Sequence, residues 1–230
     1  VAGYDVSRLM AGSWGTLGLL TEVSLKVLPV APAEATLRFE CNQADALRKL
    51  HAWGGQPLPL NASCWVQDGG VGTLYVRLRG AVAAVQAACK TMGGTLLDNA
   101  TTAPDWSACR DHTLPWFTQR AQQPDLALWR LSLPATAPVL PLPAAAQPLV
   151  EWHGALRWVQ APASAGDALR AAAEAVGGSA SVFVAASTGG IGAKGLFDLK
   201  SAALEQIHTR LKHSFDPAGI FNPGRLAAEW

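Results

Sequence analysis

The chain has 230 residues, half of them hydrophobic and 15% charged, with a formal net charge of +1. That balance supports one large domain or two small ones with a real core, and it excludes a disordered chain. With no long run of Lys or Arg, nucleic-acid binding by phosphate neutralisation has no basis. No apolar stretch reaches the roughly 18 to 20 residues that span a bilayer, and no secretory leader pattern is present.

In chain order, AGSWGTLGLLTE (11–22) packs Gly12, Gly15 and Gly18 beside Ser13 and Thr16. Thr21 to Leu28 alternates and predicts a strand that stops at Pro29 and Pro32, with a boundary near 30. ATLRFE (35–40) predicts a strand. ADALRKLHAW (44–53) predicts an amphipathic helix stopped by Gly54-Gly55, and LNASCWVQ (60–67) a strand. After a Gly69-Gly70 turn, GTLYVRLRG (72–80) predicts a strand and VAAVQAACKTMGG (82–94) a helix with a glycine stop. Residues 35–98 thus follow the β-α-β-β-α-β order of a ferredoxin-like α+β layer, with an antiparallel sheet.

The order then partly repeats, with strands over 125–134, 148–162 and 180–187 and a helix over 165–178. The Pro/Ala-rich stretch 134–148 is expected to be a surface connection. A last helix over 196–215 presents Leu199, Ala203, Ile207 and Leu211 on one stripe. It is followed by DPAGIFNPGRL, whose Pro217, Gly219, Pro223 and Gly224 cannot continue it.

Several motifs fail on context. Gly190, Gly192 and Gly195 satisfy GxGxxG between a predicted strand and helix, but no second parallel strand follows and Asp216 sits in a turn, so a flexible loop is the better reading. Lys194 lacks the Ser or Thr of a phosphate-binding P-loop. His51, His112, His153, His208 and His213 show no HxH, HxxxH or HExxH spacing, so no metal site is expected. Cys41, Cys64, Cys89 and Cys109 form no CxxC pair and read as inert thiols of a cytosolic protein. In EWHGALRWVQ, alternation places Trp152, Gly154, Leu156 and Trp158 on one face and His153 and Arg157 on the other. About 13 Å separates His153 from Arg157 along the strand. They could flank a carboxylate; the plainer arrangement has the tryptophans in the core and the polar pair at the surface. No GxSxG elbow supports serine chemistry. At the opening cluster, exposed amides at Gly12, Gly15 and Gly18 with the hydroxyls of Ser13 and Thr16 suit either a diphosphate or a tight structural turn.

The two ends together are more specific. GYDVSRLMAGSWGTLGLLTEVSLKVLP resembles the segment that closes the FAD-binding domain in the vanillyl-alcohol-oxidase-type flavoproteins. LKHSFDPAGIFNPGRL resembles that family's C-terminal end. The short cap and the WxGxxRW strand at 152–158 are similar to those of the small flavoprotein subunits of glycolate oxidases. D-lactate and other 2-hydroxy-acid dehydrogenases resemble the chain at both ends.

The resemblance implies a remnant of the FAD-binding domain with its terminal strand over 1–30, a cap over 31–215, and a segment over 216–230 that returns to the flavin. It implies that Gly12, Ser13, Gly15, Thr16 and Gly18 line the FAD diphosphate and ribose, that Leu20 lies near the adenine, and that Asn222 approaches the flavin ring; Arg225 is basic and nearby, with no role assigned.

The implied activity is oxidation of a 2-hydroxy acid, glycolate to glyoxylate, with FAD as cofactor. Its implied partners are a second flavoprotein subunit and an iron–sulfur subunit. The implied location is cytoplasmic, or peripheral to the inner membrane through those partners. Trp14 departs from the acidic or small polar residue usual in the family, and the histidine-rich substrate motif of the dehydrogenases is missing. That absence leaves open an electron-relay or assembly subunit without a substrate site. A flavin-free binding module is a third reading. The family's pyrophosphate loop is expected upstream of Val1, so the chain alone is expected to bind FAD weakly or not at all and to be inactive.

Overall fold

The computed structural model describes residues 5–143, 146–187 and 201–227. The chain divides into two compact units, one formed by Pro29–Gly192 and the other by Val1–Leu28 with Ala193–Trp230.

The larger unit is an α+β layer. Its elements run β1 (Ala33–Glu40), α2 (Gln43–Gly54), β2 (Leu60–Asp68), β3 (Val71–Gly80), α3 (Val82–Met92) and β4 (Thr95–Leu97). They continue through α4 (Asn99–Asp111), α5 (Pro115–Thr118), β5 (Leu126–Ser132), β6 (Leu149–Glu151), β7 (Leu156–Pro162), α6 (Gly166–Glu174) and β8 (Ser179–Val184). In the smaller unit, α1 spans Val6–Met10 and α7 spans Ala202–Phe215.

Among the described residues, all eight strands join one antiparallel sheet in the order β4-β1-β3-β2-β6-β7-β5-β8. The first four strands stand in the 4-1-3-2 order of a ferredoxin-like layer. Read from the far edge, β8-β5-β7-β6 is the same order again, so the partial repeat seen in the sequence is a topological repeat. The halves meet where β2 pairs with β6, Cys64 opposite Glu151 and Trp65 opposite Val150. In the second half, the Pro/Ala-rich connection takes the chain position that α2 occupies in the first.

Strand alternation sorts the core between two faces. Leu37, Trp65, Leu74, Val76, Leu78 and Val150 pack with Leu47 and Leu50 of α2 and Val85 and Ala88 of α3. The register continues this face through Arg157, Leu131, Trp129 and Val159, and Arg170 of α6 lies 5.3 Å over the Trp129 ring. The opposite face carries Cys64, Leu128, Leu149, Leu156 and Trp158 under Trp106 and Cys109 of α4 and Phe117 of α5.

Local chemistry sets the helix ends. Asn42 caps α2 by accepting from the Asp45 amide at 2.9 Å, and Asp98 caps α4 by accepting from the Thr101 amide at 3.0 Å. α4 ends at His112 in the left-handed region (φ 55°).

Four expectations are corrected. Thr21 to Leu28 forms no strand: the segment has no ladder partner among the described residues, and Leu25, Val27 and Leu28 are about four-fifths exposed. The strand expected over 148–162 is broken into β6 and β7 by a turn at Trp152–Gly154. That turn sets aside the simple two-face alternation: Trp152 is exposed, Trp158 buried, and Arg157 fully buried rather than at the surface. On α7, Ala203 and Ile207 are exposed, and the buried residue is Lys212. α7 belongs to the smaller unit, where its buried Lys212 donates to the Thr16 carbonyl. Leu199 and the GxGxxG run with Lys194 lie outside the described residues.

Candidate functional site

The smaller unit brings the two family-like motifs together. α1 is capped by Asp5, whose carboxylate accepts from the Arg8 amide at 3.1 Å. The chain then turns tightly: the Ser13 amide donates to the Met10 carbonyl at 3.1 Å and the Thr16 amide to the Ser13 carbonyl at 3.0 Å. Gly12 (φ 80°), Trp14 (φ 54°) and Gly15 (φ 70°) take positive φ, a conformation that costs a side-chain-bearing residue about 1–2 kcal/mol.

Lys212 of α7 holds this turn against the C-terminal FNPG segment. Its ammonium donates to the Thr16 carbonyl at 2.8 Å, the Phe221 carbonyl at 2.8 Å and Asp216 Oδ2 at 2.5 Å. Asp216 also accepts from the amides of Ile220 (3.1 Å) and Phe221 (2.8 Å). Burial pushes the Asp216 carboxyl up, but these three donors outweigh it and hold its pKa at about 2. Asn222, at φ 41°, donates from Nδ2 to the Trp14 carbonyl at 2.8 Å. The Arg225 guanidinium lies 4.8 Å over the Trp14 ring.

The structure therefore brings Gly12, Ser13, Gly15, Thr16 and Asn222 into one cluster. Gly18 and Leu20 follow on extended chain, with Leu20 exposed. The cluster fits a diphosphate at some positions and not at others. A Cβ built at Gly12 or Gly18 meets nothing within 4 Å, which leaves open space for a ligand. At Gly15 a Cβ would stand 2.8 Å from Asn222 Nδ2, so the missing side chain there makes room for protein. Thr16 is fully buried and its hydroxyl proton is committed to the Ser13 carbonyl at 2.7 Å, which removes it as a donor.

The larger unit contains a cavity of about 450 Å³ between α4 and the β2–β6 junction. Glu151 stands in its wall with both oxygens engaged: Oε1 accepts from Cys109 Sγ at 2.7 Å and Oε2 from Trp158 Nε1 at 2.6 Å. Hydrogen bonding with Cys64, burial and the neighbouring carboxylate all push the Cys109 thiol well up. Of the four cysteines expected to be buried, Cys64 and Cys109 are, while Cys41 and Cys89 are only partly buried. Arg77 lies 5.0 Å over the Trp106 ring and donates from Nε to Asn61 Oδ1 at 2.8 Å.

Trp152 (φ 50°), His153 (φ 53°) and Gly154 (φ 98°) form the left-handed turn at the cavity edge, held where the His153 amide donates to Ser63 Oγ at 2.9 Å. His153 Nδ1 is buried without a partner, and burial lowers its pKa. Arg157 points to the other face, where Nη1 and Nη2 donate to the Pro138 and Ala137 carbonyls at 2.6 and 2.7 Å. Burial lowers its pKa to about 10. His153 and Arg157 do not share a site.

The motifs pointed to neither Lys212 nor the cavity. LKHSFD does carry Lys212 and Asp216 four residues apart on one helix face, a signal that reading the helix for its apolar stripe alone passes over. Among the described residues, no cluster of three or more His, Cys, Asp or Glu side chains could hold a metal ion.

No protein-family model matches the chain. The chain is 40% identical over 229 residues to glycolate oxidase subunit GlcE of Escherichia coli (strain K12), an alignment covering 100% of this chain and 59% of that protein. It is also 46% identical over 46 residues to glycolate oxidase subunit GlcD of Bacillus subtilis (strain 168), covering 20% of this chain and 10% of that protein. The chain thus spans about three-fifths of the first relative's length. The likeness to glycolate oxidase subunits read from the two ends holds along the whole sequence.

Proposed function

We propose, starting from a likeness to a glycolate oxidase subunit that runs the full length of the chain, that the protein is an FAD-dependent flavoprotein subunit of a complex oxidising a 2-hydroxy acid, glycolate to glyoxylate. That full-length likeness is the observation that carries the reading. When bound, FAD supplies the two-electron acceptor for the carbon–hydrogen bond next to the carboxylate. The chain's own residues bind and orient. Gly12 and Gly18 leave room for a diphosphate, and the Ser13 hydroxyl supplies a donor beside them. Lys212 and Asn222 fix the turn that presents these groups.

Electrons leave through the complex's partners, a second flavoprotein subunit and an iron–sulfur subunit. The assembly is cytoplasmic, or held at the inner membrane by those partners. Among the described residues no helix is long and apolar enough to cross a membrane.

A second reading, an electron-relay or assembly subunit without its own substrate site, is favoured by the five histidines, none at a metal-binding spacing. Anaerobic mixing of the intact FAD-loaded subunit with glycolate alone separates the two. Bleaching of the flavin band is the outcome expected of the enzyme. An unbleached flavin that accepts electrons only from the partner subunit assigns the relay.

A further inference from the structure

Three observations converge on the cavity beneath α4. First, the carboxylate in its wall is already satisfied: Glu151 accepts from Cys109 on one oxygen and Trp158 on the other. Second, Arg77 engages Asn61 through Nε only, and its two Nη groups make no hydrogen bond among the described residues. A guanidinium with its outer fork open is shaped for a planar carboxylate. Third, His153 lines the same cavity, and its Nδ1 is buried without a partner, although buried polar atoms are nearly always hydrogen-bonded. The turn that places it is held in left-handed backbone by Trp152 and His153, two residues that rarely adopt it. Strained backbone of this kind collects at ligand sites.

We propose that this cavity binds a small organic carboxylate with an oxygen on the neighbouring carbon, a 2-hydroxy or 2-oxo acid. The Arg77 fork takes the carboxylate, and His153 Nδ1 takes the adjoining hydroxyl or oxo oxygen. Trp106, Trp152 and Leu156 leave apolar wall for a substituent, so acids bulkier than glycolate also enter. The choice of acid rests on the proposed function; the site itself rests on the cavity and its unpaired donors.

Oxalate is a suitable probe because it carries the paired oxygens and cannot donate a hydride. Calorimetric titration of the intact protein is expected to show oxalate binding that weakens about tenfold or more in Arg77→Gln and is largely retained in Arg77→Lys. Excess inorganic phosphate is expected not to displace it. A second measurement needs no variant: oxalate should protect Arg77 from phenylglyoxal, read by peptide mass spectrometry. Equal oxalate affinity in wild type and Arg77→Gln, an unprotected Arg77, or displacement by phosphate would each overturn the proposal. Arg77-dependent oxalate binding in a protein whose flavin glycolate does not bleach upholds the cavity and overturns the oxidase reading. Bleaching by glycolate with no oxalate binding does the reverse.

Discussion

Asp216 and Lys212 form a buried pair, 4% and 5% exposed, whose work is to hold two distant stretches of chain together. Its pH dependence follows from the carboxyl. With a folded pKa of about 2 against an unfolded value of about 3.9, Asp216 stabilises the fold fully above the unfolded value, and that contribution is lost as pH falls through about 2. Urea unfolding between neutral and acid pH should therefore show the Asp216→Asn variant losing its deficit relative to wild type as the pH drops below about 4. A deficit unchanged down to pH of about 2 would mean that the ion pair does not form.

Gly15 and Gly18 separate structural from ligand-imposed need. Gly15→Ala places a Cβ on Asn222 at positive φ and should destabilise by more than about 1 kcal/mol. Gly18 has ordinary φ and open surroundings, so Gly18→Ala should leave the melting temperature unchanged while weakening FAD binding to the intact protein about tenfold. Thermal melts and flavin-fluorescence titration of the two variants check both.

At the scale of elements, the Pro/Ala-rich connection before β6 is anchored by a buried arginine. Arg157, fully buried, satisfies the carbonyls of Ala137 and Pro138. Arg157→Leu keeps bulk but strands both acceptors, and should cost about 2–3 kcal/mol in urea unfolding. A cost below about 0.5 kcal/mol would show that the connection finds other donors. The neighbouring turn is as specific: a Cβ at Gly154 would stand 2.9 Å from Leu47 Cδ2 and 3.2 Å from the Ala135 carbonyl. Gly154→Ala should destabilise by more than about 1 kcal/mol and disturb the His153 position.

These elements show what a sequence reveals and what it hides. β1 and β3 announce themselves because alternation is strict and each strand has a ladder partner on both sides. α4 escapes notice because Pro104 interrupts it and Thr102 takes a core position usually held by an apolar residue. The Trp152–Gly154 break is invisible because two of its three left-handed residues are a tryptophan and a histidine. Thr21 to Leu28 alternates like a strand, yet alternation describes only one strand, and a ladder needs a second. The opening glycines and the closing FNPGR are legible as a candidate because each is contiguous. Arg77, Glu151 and His153 are not, since only folding brings β3 and the Glu151–His153 stretch to one cavity.

For the molecule as a whole, the larger unit repeats one strand order twice and joins the copies edge to edge, leaving the cavity beside that seam. The smaller unit is held by buried Lys212, which pairs with Asp216 and donates to the distant Thr16 carbonyl, and it leaves open space at Gly12 and Gly18. The central claim, an FAD-dependent subunit, is tested most directly by the absorbance spectrum of the intact purified protein, with release and quantification of its flavin. The account predicts stoichiometric FAD. A colourless protein that takes up no FAD on reconstitution would contradict it.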